Sequence, residues 1–160
     1  RVLKLAVLIQ MTWPGSPTLY YGDEAGQAGW TDPDCRRTYP WGAENTDILE
    51  AHRSAIAMRK RVHWLRLGSI KALDSGNGYI AYARFDDQDV AIVVVNNNDK
   101  EITLSLPVWE AGVTWTDTVG LYFSVGYDDY PPEHMIEVKF GRMTVTLPPK
   151  SGCVYGKSVI

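Results

Sequence analysis

The chain has 160 residues, 45% hydrophobic and 22% charged, with a net charge of -3. That balance is globular and leaves room for one domain, or for one domain plus part of another. There is no basic stripe to neutralise phosphates, and no apolar run approaches the roughly 20 residues of a spanning helix, so neither nucleic acid nor membrane is expected as a partner.

In chain order, Val2 to Met11 is apolar nearly all the way round a helix and predicts a buried one, stopped by Pro14 and Gly15. Gly15, Ser16 and Pro17 predict a turn and Thr18 to Tyr21 a short buried strand, broken by Gly22 and Gly26. A long loop follows as far as Trp41, rich in Asp, Arg and Trp. Asp47 stands three residues before Glu50, the spacing of a capping box with Asp47 as the cap. From there Ile48, Ala51, Ala55, Met58, Val62 and Leu65 recur at three and four residues, predicting a helix that ends at Gly68. The basic cluster from Arg59 to Arg66 reads as a solvated face that also suits the helix dipole.

After Gly68 the period changes from 3.6 to 2, which predicts a domain boundary there and divides the chain into residues 1–68 and 69–160. Tyr79 to Phe85 alternates and Val90 to Val95 is continuously apolar. Asp86 to Asp89 between them supplies the turn of a hairpin. Ile102 to Leu106, Val113 to Thr116, Met143 to Leu147 and Val154 to Tyr155 read as further strands. Gly120 to Pro132, aromatic and acidic, reads as a long loop. Seven or eight strands fit an antiparallel sandwich.

The run GSPTLYYGDE, followed by DPDCRR and then by PW, resembles the eighth-strand region of the alpha-amylase superfamily of glycoside hydrolases, most closely its neopullulanase and cyclomaltodextrinase branch. The ending LPPKSGCVYGK is similar to the closing strands of that family's C-terminal domain. The resemblance implies an α+β fragment: the last strand and helices of a (β/α)8 barrel, then an all-β antiparallel Greek-key sandwich. It further implies a C-terminal part of an alpha-glucan-processing hydrolase, with the β-domain as a structural cap. The family's three catalytic carboxylates follow barrel strands four, five and seven. They would lie upstream of Arg1, so this chain is expected to be inactive alone and to carry no catalytic residue. Arg1 opens in mid-pattern; any leader would also lie upstream, and the compartment is left open.

What the resemblance leaves in this chain is a sugar-contacting wall. Asp32 and Arg36 match the first Asp and the Arg of the family's D-P-D-C-R motif, which contact a sugar unit of an alpha-glucan on the non-reducing side of the cleavage point. A carboxylate and a guanidinium can together grip vicinal hydroxyls; the alternative is an ion pair that only braces the loop. Trp30, Trp41 and Tyr39 are candidates for stacking on a glucose ring or for packing under the loop. Asp23 and Glu24, adjacent on an extended strand, would point to opposite faces and could not straddle one bond. Cys35, Cys153, His52, His63 and His134 have no metal or triad spacing, so neither cofactor nor metal is expected.

Six Trp and nine Tyr exceed what a small core needs. A second possibility is therefore a β-domain that is itself a carbohydrate-binding module, for which Tyr79, Tyr82, Trp109, Trp115, Tyr122, Tyr127 and Tyr130 are the residues to inspect. Because Tyr79 and Tyr82 are three apart, they should lie on opposite faces. Finally, with no barrel to cover it, the apolar segment 2–21 must fold back on the sandwich, pair with a second copy of the chain or lose its order, and of these self-association is expected.

Overall fold

Strands that alternate in sequence must find a partner face, and in the computed structural model they find two. The model describes residues 1–128 and 131–157; Tyr130 and the last three residues of the proposed second domain lie outside them. Three helices come first: α1 (Val2–Thr12), α2 (Thr46–Arg61) and the single turn α3 (Trp64–Leu67). Eight strands follow: β1 (Ser69–Gly76), β2 (Tyr79–Phe85), β3 (Val90–Asn96), β4 (Ile102–Leu106), β5 (Asp117–Val125), β6 (Met135–Lys139), β7 (Arg142–Leu147) and β8 (Ser151–Gly156).

The strands form one antiparallel sheet in the order β1-β2-β3-β8-β5-β6-β7-β4. The meander β5-β6-β7 closed by β4 beside β7 is a Greek key. The sheet folds over so that Ile92 and Val94 of β3 share a core with Leu104 and Leu106 of β4 and Met143, Val145 and Leu147 of β7. The opposite face of β2, β3, β8 and β5 carries a second core. There Tyr82, Val93, Val95, Val125 and Val154 meet Leu5 and Leu8 of α1, Met58, Val62 and Leu65. Strand β3 is buried at every position because it lies between both layers, which explains its unbroken apolar run. Tyr79 packs towards the inner core and Tyr82 towards the helices, so the two do face opposite ways.

Several expectations are corrected. Thr18 to Tyr21 forms no strand; an extended run becomes one only when a neighbour takes its hydrogen bonds, and Leu19 instead packs among Val7, Met11, Ala55 and Phe123. Asn45, not Asp47, caps α2: its side chain accepts from the Ile48 N–H at 3.2 Å, while Asp47 pairs with Lys4 at 2.6 Å. The expected single helix to Gly68 breaks after Arg61. Val113 to Thr116 is not a strand, and much of the expected loop from Gly120 belongs to β5. The pairing of β5 with β8 shifts register between Leu121 and Phe123; this bulge breaks the period of two that would have revealed the strand.

Segment 2–21 is also better covered than its sequence suggests. Leu5, Val7, Leu8 and Met11 are buried within the chain itself. Gly152 of β8 makes this possible: a Cβ there would lie 2.5 Å from Leu8 Cδ2, so the missing side chain lets α1 seat directly on the sheet. The exposed large side chains left in the segment are Val2, Leu3, Trp13, Tyr20 and Tyr21.

Candidate functional site

The loop between α1 and α2 is held at its two ends and exposed in the middle. At its start, the carbonyls that α1 leaves without helical partners are taken up by arginines. Arg59 donates to Met11 O at 2.7 Å and to Gly15 O at 2.6 Å, and Arg84 donates to Thr12 O at 2.6 Å. Arg59 is thus buried, not part of a solvated basic face as its sequence neighbours Lys60, Arg61 and Arg66 are. At the far end, Ala25 is buried and its carbonyl accepts from Asn45 N at 2.9 Å.

Between these anchors the DPDCR segment forms a tight unit. Asp34 to Arg36 is one turn of 3-10 helix, which brings position 36 back over position 32. Arg36 meets Asp32 through both forks, Nε to Oδ1 at 3.0 Å and Nη2 to Oδ2 at 3.1 Å. Arg37 holds Asp34 Oδ1 at 2.6 Å, and Asp34 Oδ2 accepts from Trp30 N at 2.9 Å. Trp30 is therefore fixed by its backbone to the same unit while its ring is 83% exposed. Trp41 is equally exposed, on the other limb of the loop, with its ring 4.5 Å from that of Tyr39. Desolvation, then the Glu24 and Glu44 carboxylates, hold the Tyr39 phenol above its ordinary pKa, so it stays a neutral donor.

The structure therefore joins Asp32 to Arg36 and ties Trp30 to them through Asp34. It leaves both indoles presenting their rings to solvent, not packed under the loop. Asp23 and Glu24 lie on a turn, not on an extended strand, and the Glu24 carboxylate accepts from Gly22 N at 3.0 Å. Two hollows among the described residues lie away from the loop's candidates: one of about 570 Å³ against Tyr127 and Pro148, the other of about 630 Å³ along Ala6, Ile9 and Trp13. The loop offers a hydrogen-bonding pair and two exposed aromatic planes without the enclosing walls of a formed ligand pocket. Among the described residues no group of three His, Cys, Asp or Glu side chains could hold a metal ion, and no helix is long and apolar enough to cross a membrane.

The aromatic side chains of the β-domain were only partly legible in the sequence. Trp109 and Trp115 are exposed, Tyr122 and Tyr127 are half-buried, and Phe140, not among the expected residues, is 74% exposed at the tip of the β6–β7 hairpin. The signal for Phe140 was present: Phe-Gly stands between two alternating runs, where Asn-Gly is the usual pair.

Comparison with known proteins identifies the β-strand part of the chain. A model of the family described as "Alpha amylase, C-terminal all-beta domain" matches residues 70–158. The chain is similar to an amylopullulanase of Thermoanaerobacter thermohydrosulfuricus, 37% identical over 130 residues, covering 73% of this chain and 9% of that protein. It is similar to neopullulanase 2 of Thermoactinomyces vulgaris, 33% identical over 156 residues, covering 94% of this chain and 25% of that protein. Among solved structures it resembles an acarbose-soaked debranching enzyme of Nostoc punctiforme. The TM-score is 0.77 at 26% identity, over 96% of this chain and 28% of that one. The chain thus spans a quarter or less of the length of these two relatives.

Proposed function

The chain belongs to the alpha-amylase C-terminal all-beta domain family, and from that premise we propose that it is the C-terminal part of an alpha-glucan-processing glycoside hydrolase of neopullulanase type. Residues 1–68 are then the closing piece of a catalytic (β/α)8 barrel, and residues 69–160 a β-domain that caps it. The observation that carries this reading is the 33% identity to a neopullulanase over 156 residues, because it runs through the loop and helices as well as the sheet. In the assembled enzyme Asp32 and Arg36 grip hydroxyls of one glucose unit while Trp30 and Trp41 offer stacking faces. Self-association through 2–21 rests on Val2, Leu3, Trp13, Tyr20 and Tyr21, since Leu5 and Leu8 are committed to the core.

Chemistry requires more than this chain holds. Retaining hydrolysis needs two carboxyl groups about 5 Å apart across the scissile bond. Incubated alone with pullulan, starch or a cyclodextrin, the chain should release no reducing sugar above the blank. Expressed together with its upstream coding sequence it should cleave such a substrate. There Asp32→Asn or Arg36→Ala should lower kcat/KM about 10- to 100-fold, the worth of a hydrogen bond to a charged group. An exposed pair contributes about 1 kcal/mol or less to stability, so the melting temperature should hardly move. A large drop in melting temperature with unchanged kcat/KM would make the pair a loop brace and reject the sugar-contact role.

A further inference from the structure

The β6–β7 hairpin turns at Phe140 and Gly141, both with positive φ, at 53° and 71°. Lys139 pairs with Arg142 across a two-residue connection. Glycine suits that geometry; a bulky aromatic in the left-handed region is an outlier. Phe140 recovers little by packing, because its side chain is largely in solvent. An unfavourable backbone that presents an exposed ring points to a use for the ring.

Two more rings are fastened to the same turn. Trp109 N donates to Gly141 O at 3.1 Å, and Gly141 N donates to Trp115 O at 2.8 Å. A Cβ on Gly141 would lie 2.8 Å from Trp109 Cβ and Cδ1, so only glycine lets the turn approach Trp109 this closely. Trp109, Trp115 and Phe140 are all exposed, and they come from three separate segments locked together by backbone hydrogen bonds. Next along the chain from Trp115 and Phe140, and lined by none of the three rings themselves, lies a shallow hollow of about 360 Å³ between β5 and β6. Its walls begin one residue after Trp115, at Thr116, and end one residue before Phe140, at Lys139. In it, Glu137 and Lys139 form an exposed ion pair at 2.8 Å, and Thr118 lies opposite Glu137 across the ladder. Asp117 is already engaged by Thr114 and Lys157.

We propose that Trp109, Trp115 and Phe140, with the hollow lined by Glu137, Lys139 and Thr118, form a second carbohydrate-binding site on the β-domain, which takes an alpha-glucan chain apart from the loop at Asp32. Aromatic planes beside hydroxyl, carboxylate and ammonium groups match a pyranose, whose apolar C–H face and polar rim need both at once. A protein partner would call for a larger dry patch than three rings near a polar hollow. The surface itself specifies a pyranose; the α-linked class rests on the function proposed above.

The test is titration of the chain carrying Trp30→Ala and Trp41→Ala, so that the loop cannot supply the signal. Maltoheptaose and cellohexaose are the ligands, read by calorimetry and by the indole resonances. Maltoheptaose should saturate while shifting the Trp109 and Trp115 signals. Trp115→Ala should weaken it between about twofold and tenfold, as should Phe140→Asn. Asn tolerates positive φ, so Phe140→Asn should also raise the melting temperature by about 2–4 °C; weaker binding in a more stable protein separates recognition from folding. Absence of saturation, binding unaffected by either variant, or concentration-dependent self-association that these variants abolish would overturn the site. Equal binding of cellohexaose would overturn the α-linked assignment. Cleavage of pullulan or cyclodextrin by the longer protein reads the function of the parent independently, whatever the titration gives.

Discussion

Arg84 shows how much one side chain can decide. Its guanidinium is almost fully buried and donates to Thr12 O, Gly68 O and Ser69 O. Burial, and then the nearby charge of Arg59, hold its pKa below the ordinary arginine value, yet arginine remains charged at any working pH. The site is tolerable because the acceptors are carbonyls at the negative end of α1 and at the junction into β1. Arg84→Met removes the repulsion but orphans buried carbonyls at about 1–3 kcal/mol each. A net loss of about 3 kcal/mol in urea unfolding is expected. Arg84→Lys should lose most of that too, since one ammonium cannot span both segments. A loss under about 1 kcal/mol for either variant would mean that water replaces the guanidinium. None of this was legible locally: in sequence Arg84 is one residue of an alternating strand.

At the scale of elements, the contact that organises the helix layer is α1 on β8 through Leu8 and Gly152. Leu8 is fully buried, so Leu8→Ala should cost about 2–5 kcal/mol. Gly152→Ala places a methyl group 2.5 Å from Leu8 Cδ2 and 3.2 Å from Val94 O and should cost about 1–3 kcal/mol by overpacking. Because the two side chains compete for one space, the double variant should be less damaged than the sum by at least about 0.5–1 kcal/mol. Strict additivity in denaturant melts would show that α1 does not bear on β8 in this way. The strands β2, β3, β4 and β7 were readable from alternation or apolar runs because their pairing is regular. Strand β5 was not, since its bulge displaces Tyr122 from the period.

At the scale of the whole molecule, the sheet is covered on one side by itself and on the other by the helices. Removing residues 1–68 would leave the inner core intact but uncover Tyr82, Val93, Val95, Val125 and Val154. At about 1.5–3 kcal/mol for a fully uncovered side chain, even partial exposure approaches the roughly 5–15 kcal/mol by which domains are stable. A fragment beginning at Ser69 should therefore unfold at a lower temperature than the full chain and bind a hydrophobic dye before it melts. An unchanged midpoint without dye binding would make the helices an appendage and residues 69–160 an independent unit.

What the sequence determined by itself was whatever depends on near neighbours. The apolar run of α1, the period of α2 and the strands β2, β3, β4 and β7 were readable, as was the motif from Gly15 to Trp41 that carries the family resemblance. Within that motif, an Asp32–Arg36 ion pair was one of the two readings the sequence left open, and the two side chains do meet. The tertiary structure alone decided which basic residues are buried, since Arg59 and Arg84 reach acceptors 48 and 72 residues away. It also decided that α1 is covered by β8, and that Trp109 and Trp115 hydrogen-bond to the turn that carries Phe140. Such contacts depend on how the sheet folds over and on where a glycine lets two backbones approach, and no periodicity along the chain records either.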